Sequence, residues 1–172
     1  MPVTYSLIAS NTLSSSAASV TFSSIPATYT DLVLRVTGRT DASQINDDMA
    51  IRLNGGTSGY SRTFLNGTGS AAGSGRSSNA AYAIDYGSIV GGTATASTFG
   101  SAELYFPNYT STTSKPFSSF GVNETNATGA SMGVTALLSN LASAITTIAI
   151  IPNNGANFVS GSSFFLYGIK SS

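Results

Sequence analysis

The feature that most constrains this chain is an apolar alternation of period two. In Asp31-Leu32-Val33-Leu34-Arg35-Val36-Thr37-Gly38-Arg39, Leu32, Leu34 and Val36 share one face, and Val33, Arg35 and Thr37 share the other. Met49, Ile51 and Leu53 alternate with Ala50, Arg52 and Asn54 in the same way. Successive side chains of a strand point to opposite faces, so this pattern makes half-buried antiparallel strands. Similar segments recur at Tyr5–Leu13, Ser19–Ser23, Tyr60–Leu65, Ala80–Tyr86, Ala102–Phe106, Phe117–Glu124, Val134–Leu138, Ile145–Ile151 and Ser163–Ile169. Roughly ten to eleven strands separated by turn-rich stretches predict a sandwich or barrel. The inward set is expected to include Leu32, Leu34, Val36, Ile51, Leu53, Leu104, Phe106, Ile148, Ile150, Phe165, Tyr167 and Ile169.

Helical signal is thin. The stretch 136–145 allows either one short helical turn or a strand, a turn and a strand; its threonine and β-branched neighbours favour the second. Two segments read as long loops. Arg39–Asp48 carries Asp41, Asn46, Asp47 and Asp48. Asn66–Asn79 holds no apolar side chain larger than alanine, so it is expected to lie exposed rather than to pack a core. No repeat or linker divides the chain, and 1–172 reads as a single antiparallel all-β domain. A domain of this length buries about two-thirds of its unfolded surface and needs no staple to fold.

Composition narrows the chemistry. Charged residues are 8% of the chain against a usual share near a quarter, and serine, threonine and 18 glycines fill the gap. Seven basic residues balance seven acidic ones, which leaves no basic patch for nucleic acid and little self-repulsion against association. The N-terminal residues show no signal-peptide pattern, and the run Ile148 to Ile151 is too short to span a bilayer. The expectation is a soluble chain made in the cytosol.

With no histidine, a Ser-His-Asp set is impossible, and with no cysteine so are thiol nucleophiles, disulfides and thiolate zinc sites. Only Lys115 and Lys170 could act as a lysine base for a serine. Glycosidase chemistry needs paired carboxylates, and Glu103 and Glu124 fall in strands among small polar residues, which reads as a solvated sheet face. Asp41, Asp47 and Asp48 lack EF-hand spacing, and aspartates bonding nearby amides explain them better than calcium. The glycine-rich segment 66–76 lacks both Rossmann and P-loop signatures. Four Asn-X-Thr patterns, at Asn66, Asn108, Asn123 and Asn126, are chance matches in a chain so rich in threonine. Tyr60, Tyr82, Tyr86, Tyr105 and Tyr109 are conceivable sugar platforms, although tyrosine in a strand is more often half-buried packing. The expectation is a non-enzymatic protein with no cofactor and no bound metal.

The opening Ser6-Leu7-Ile8-Ala9-Ser10 leads to Ala18-Ser19-Val20-Thr21-Phe22 and then to Ile25-Pro26-Ala27-Thr28-Tyr29-Thr30-Asp31-Leu32. Further on come Asn54-Gly55, Tyr60-Ser61, Ser101-Ala102-Glu103-Leu104-Tyr105-Phe106-Pro107-Asn108-Tyr109 and the closing Phe164-Phe165-Leu166-Tyr167-Gly168-Ile169-Lys170. Over nearly its whole length the chain resembles small virion proteins of tailed phages, especially aquatic and cyanobacterial ones, described as tail-fibre-like or head-decoration-like. The resemblance implies a jelly-roll-like β-sandwich and a place in the phage particle, but no particular binding residue. The partners expected are other virion proteins, the major capsid protein or tail components, with host surface polysaccharide as the alternative ligand. A homo-oligomer is expected, and neither nucleic acid nor a membrane. Contacts are expected at Arg39–Asp48, Tyr60–Arg62 and Asn66–Asn79, through Arg39, Asp48, Tyr60, Arg62 and Arg76, because tyrosine and arginine most often anchor interfaces.

Overall fold

The computed structural model describes residues 4–126 and 129–170. No described residue is helical. In chain order the strands are β1 (Tyr5–Thr12), β2 (Val20–Phe22), β3 (Asp31–Gly38), β4 (Asn46–Asp47), β5 (Met49–Leu53), β6 (Tyr60–Gly67) and β7 (Ala72–Ala80). They continue with β8 (Ala83–Ile84), β9 (Ile89–Val90), β10 (Gly100–Phe106), β11 (Lys115–Glu124), β12 (Ala130–Ser139), β13 (Ile148–Pro152) and β14 (Ser163–Ile169).

These strands form an antiparallel sandwich. The large sheet has eight strands in the order β1-β14-β3-β10-β11-β12-β6-β7. A four-stranded sheet, β2-β13-β5-β8, packs on one of its faces, and β4 and β9 form a short separate ladder. The core lies between the two sheets. Leu32, Leu34 and Val36 of β3 join Leu104 and Phe106 of β10, Met49, Ile51 and Leu53 of β5, and Ile148 and Ile150 of β13 in one buried cluster.

Beyond that cluster the inner face of the large sheet turns polar. Ser119 and Asn123 on β11 and Ser131 and Thr135 on β12 are all buried. The segment 86–90 lies across them like a strap. Glycines let it approach: Gly38 pairs with Gly100 and Gly121 with Gly133, on four neighbouring strands. A methyl group on Gly121 would sit 2.4 Å from Ser88 Cβ, and one on Gly133 would sit 2.5 Å from the Tyr86 carbonyl oxygen. The Asn123 side-chain amide fastens the strap by donating to the Gly87 and Ile89 carbonyls at 3.0 and 3.3 Å.

The structure departs from the sequence reading in three places and takes one of the two open alternatives in a fourth. Asn66–Asn79 is not a free loop: Thr68 N–H donates to the Ala71 carbonyl across a tight turn, and β7 returns along β6 as an edge strand. The inward phase of β14 is the reverse of that expected. Phe164, Leu166 and Gly168 are buried, while Phe165, Tyr167 and Ile169 are only half-buried on the opposite face. Ala80–Tyr86 is not one strand; β7 ends at Ala80 and β8 covers only Ala83–Ile84. The stretch 136–145 takes the strand alternative, with β12 running to Ser139 and no helical turn after it. Of the Asn-X-Thr patterns, the last falls partly outside the described residues.

Candidate functional site

The five side chains expected at an interface do not converge on one site. Tyr60 is a correction, because it is buried at 1% exposure. Its hydroxyl accepts the Leu53 N–H at 2.9 Å, so it is an inward-facing residue of β6 that pins the end of β5. Arg39 gives its guanidinium to backbone: the carbonyls of Gly92, Ala94, Thr95 and Thr98 accept at 2.7–3.1 Å. It organises that loop rather than offering donors to a partner. Arg62 lies on the inner side of β6, donates to the Ile84 carbonyl at 3.1 Å and rests 5.1 Å over the Phe64 ring. Asp48 accepts the Gly87 N–H at 2.7 Å, and burial raises its carboxyl above the usual carboxylate range. Arg76 alone of the five is exposed, on β7 opposite Thr63. A chain with few charges spends most of them on its own backbone, because buried carbonyls and amides must be paired.

The aspartates of the Arg39–Asp48 segment are likewise occupied. Asp41 accepts the N–H groups of Ala156 and Asn157 and the Asn157 side-chain amide at 2.8–2.9 Å. Those bonds hold its carboxyl below the usual range. Asp47 is buried and accepts Thr40 Oγ1 at 2.7 Å, Asp48 N–H at 2.8 Å and the Asn154 side-chain amide at 2.8 Å. Beside them is a polar cleft of about 230 Å³ lined by Gln44, Asn46, Asp48, Tyr86, Ser131 and Asn154. Among the described residues no three acidic side chains gather as they would around a metal ion. Asp85, beneath the strap, is fully buried, and burial pushes its carboxyl up to about 7. It accepts the Met49 N–H at 2.7 Å and the Ser119 hydroxyl at 3.4 Å.

Lys115 is also buried. Its ammonium donates to the Ser111, Thr113 and Leu141 carbonyls as well as to Ser111 Oγ at 3.2 Å. Burial lowers its pKa. Hydrogens committed to three carbonyls leave the nitrogen no lone pair to draw a proton from Ser111.

The surface with unspent binding capacity is the outer face of the large sheet. Among the described residues, Tyr5, Leu7, Leu65, Tyr105, Phe120, Val122, Met132, Val134 and Leu138 are the exposed large hydrophobic side chains, and by strand register all nine lie on that face. Contiguous exposed apolar surface of this kind marks a contact site. The face has two halves of different chemistry. On β6, β12 and β11 the side chains stand in rows: Leu65 opposite Val134 opposite Phe120, and Met132 opposite Val122. On β1, β14, β3 and β10 the face is aromatic and charged. Arg35 lies 6.0 Å over the Tyr5 ring and 5.9 Å over the Tyr167 ring, and its Nε bonds Glu103 Oε2 at 2.9 Å. Tyr105 donates its hydroxyl to Asp31 at 2.8 Å, which raises the phenol's pKa.

Sequence reasoning missed this face because it sought contacts in loops. The available signal was alternation with large apolar residues in both phases, as in Phe117-Ser118-Ser119-Phe120-Gly121-Val122 and Met132-Gly133-Val134-Thr135-Ala136-Leu137-Leu138. Compared with models of known protein families and with curated proteins, the chain matches none of them.

Proposed function

We propose that this chain is a non-enzymatic structural protein of a bacteriophage virion, a capsid decoration or cement protein that docks through the outer face of its large sheet. The observation that carries the reading is that, among the described residues, all the exposed large hydrophobic side chains lie on that one face. Of the aspartates that could have made a site, Asp41 and Asp47 are each held by several of the protein's own donors and Asp48 accepts the Gly87 N–H. Glu103 and Glu124 are poorly disposed for glycoside cleavage. Glu103 pairs in register with Phe120, so four residues separate its level from Glu124, about 13 Å along the strand. Carboxylates of glycosidases stand roughly 5–9.5 Å apart.

A second reading, a tail-fibre tip that binds host surface polysaccharide, draws on the other half of the face. Tyr5, Tyr105 and Tyr167 around Arg35 and Glu103 combine ring faces with polar groups, a pairing that suits a neutral sugar.

Mass spectrometry of purified particles of the encoding phage tests both readings through copy number. Hundreds of copies per particle support decoration, and a few to tens support a fibre. Absence from the particle overturns both.

A further inference from the structure

We infer that the occupant of the apolar half of the outer face is a second copy of this chain, packed face to face across a two-fold axis. The inference rests on the docking role proposed for this face and names the partner.

The first argument is charge. Within the patch formed by Leu65, Phe120, Val122, Met132, Val134 and Leu138 there is no charged side chain. Three charged residues border it: Glu103 on β10, level with Phe120 and already paired with Arg35 at 2.9 Å, and two more that sit at diagonal corners. Arg76 on β7 stands level with Thr63 and Ala136, and Glu124 at the end of β11 stands level with Ala130. Both belong to the outward-facing set, by register for Arg76 and by alternation for Glu124. One of the Glu124 carboxylate oxygens accepts the Asn126 N–H.

Consider a two-fold axis lying in the contact plane between the large sheets of two copies and bisecting at right angles the line from Arg76 to Glu124. It passes through the centre of the patch, near Leu65, Val134 and Met132. Rotation about it lays the apolar rows of one copy on those of the other. It also brings Arg76 of each copy over Glu124 of its partner, twice. A closed dimer needs a self-complementary patch of this kind.

The second argument is area. Eight strands spaced about 4.8 Å apart, each near 8 residues long at about 3.3 Å per residue, make a face on the order of 1,000 Å². A stable interface needs about 800 Å² from each partner. The apolar half alone supplies about half of the face, roughly 500 Å², so a contact of standard size centred on it also takes in part of the aromatic half. The balanced charge of the chain, seven against seven, opposes no self-association.

Sedimentation velocity of the purified full chain between about 5 and 200 μM tests the inference, with far-UV circular dichroism confirming the fold of every variant. The wild type is expected to sediment at twice its 17.4 kDa mass. Val134→Lys and Leu65→Lys, each placing a charge in the apolar centre, should raise the dissociation constant at least a hundredfold. Arg76→Glu and Glu124→Arg alone should each weaken the dimer about tenfold or more, and the two combined should restore it. That reciprocal rescue places Arg76 of one copy against Glu124 of the other, and a species that stops at twice the monomer mass shows that the contact closes as a two-fold arrangement does. A wild type monomeric at 200 μM overturns the inference, and so does a dimer indifferent to Val134→Lys or a double charge swap without rescue. None of these outcomes decides whether the chain is found in phage particles, so the docking role and the identity of the partner stand or fall separately.

Discussion

Replacing Gly121 with alanine should destabilise the protein more than any other single methyl addition on an exposed-to-buried count would suggest. The new Cβ would lie 2.4 Å from Ser88 Cβ and 2.6 Å from Ser88 Cα. Carbon atoms in contact stand about 3.5–4.0 Å apart, so the strap must rise by roughly 1 Å or more. Overpacking of this kind costs about 1–3 kcal/mol. Lifting the strap also strains the bonds from the Asn123 amide to the Gly87 and Ile89 carbonyls. A buried polar group left unpaired adds about 1–3 kcal/mol. The sum is about 2–6 kcal/mol. At about 2–4 °C per kcal/mol for a domain of this size, the melting temperature should fall by roughly 4–24 °C. Thermal melts followed by far-UV circular dichroism read this directly. Gly67→Ala is the control, because its nearest neighbour would be Met132 Cγ at 3.8 Å, and it should change little. Equal melting temperatures for the wild type and Gly121→Ala would refute the idea that glycines admit the strap.

Three further outcomes follow from the geometry. Leu34→Ala, at a side chain with 0% exposure, should cost about 2–5 kcal/mol in denaturant unfolding, and a loss under about 0.5 kcal/mol would contradict its place in the core. The Asp85 carboxyl is raised from 3.8 to about 7, so the folded protein holds that proton more tightly than the unfolded chain does. The stabilising contribution is therefore complete below about pH 4 and is lost as pH rises through about 7; Asp48, also raised, acts in the same sense. Asp85→Asn, which stays neutral and can still accept the Met49 N–H, should flatten the fall in melting temperature between pH 5 and 8, and an unchanged slope would sink the assignment. Arg39→Ala removes the donor to four carbonyls of the 91–98 loop and should make that loop a preferred site of limited proteolysis, with global stability falling by about 1–2 kcal/mol; a digestion pattern like the wild type's would count against it.

The strands with one apolar phase were readable. Leu32, Leu34 and Val36, or Met49, Ile51 and Leu53, have only one sensible inward face, and the structure buries those residues. Reading failed where both phases were apolar or neither was. Phe164-Phe165-Leu166-Tyr167-Gly168-Ile169 offers large side chains to both faces, and its phase is set by its neighbours: Phe165 pairs with Arg35 and Ser10, on the open side. Ala72–Ala80 offers almost none, so it resembled a loop. Its small residues instead let Phe64 lie across Gly75 and stack on Tyr86 at 4.3 Å between ring centres. Of the expected interface residues, Arg39, Asp48, Tyr60 and Arg62 are engaged within the protein, for a related reason, while Arg76 stands exposed. Tyrosine and arginine anchor contacts between proteins, but they are equally the side chains that satisfy buried backbone, and only three-dimensional structure separates the two uses. The outer face could not be recognised until the strand order placed β6, β12 and β11 side by side.

The most direct test of a docking role for the outer face is hydroxyl-radical footprinting of Met132 in the isolated monomer and in intact phage particles. Met132 is 52% exposed at the centre of the apolar patch, while Met49 is fully buried in the core and serves as the internal reference. If the face is the docking surface, Met132 should oxidise readily in the dilute monomer and be protected at least tenfold in the particle, with Met49 unreactive in both. Equal oxidation of Met132 in monomer and particle would show that the face stays open to solvent, and the docking role would be wrong.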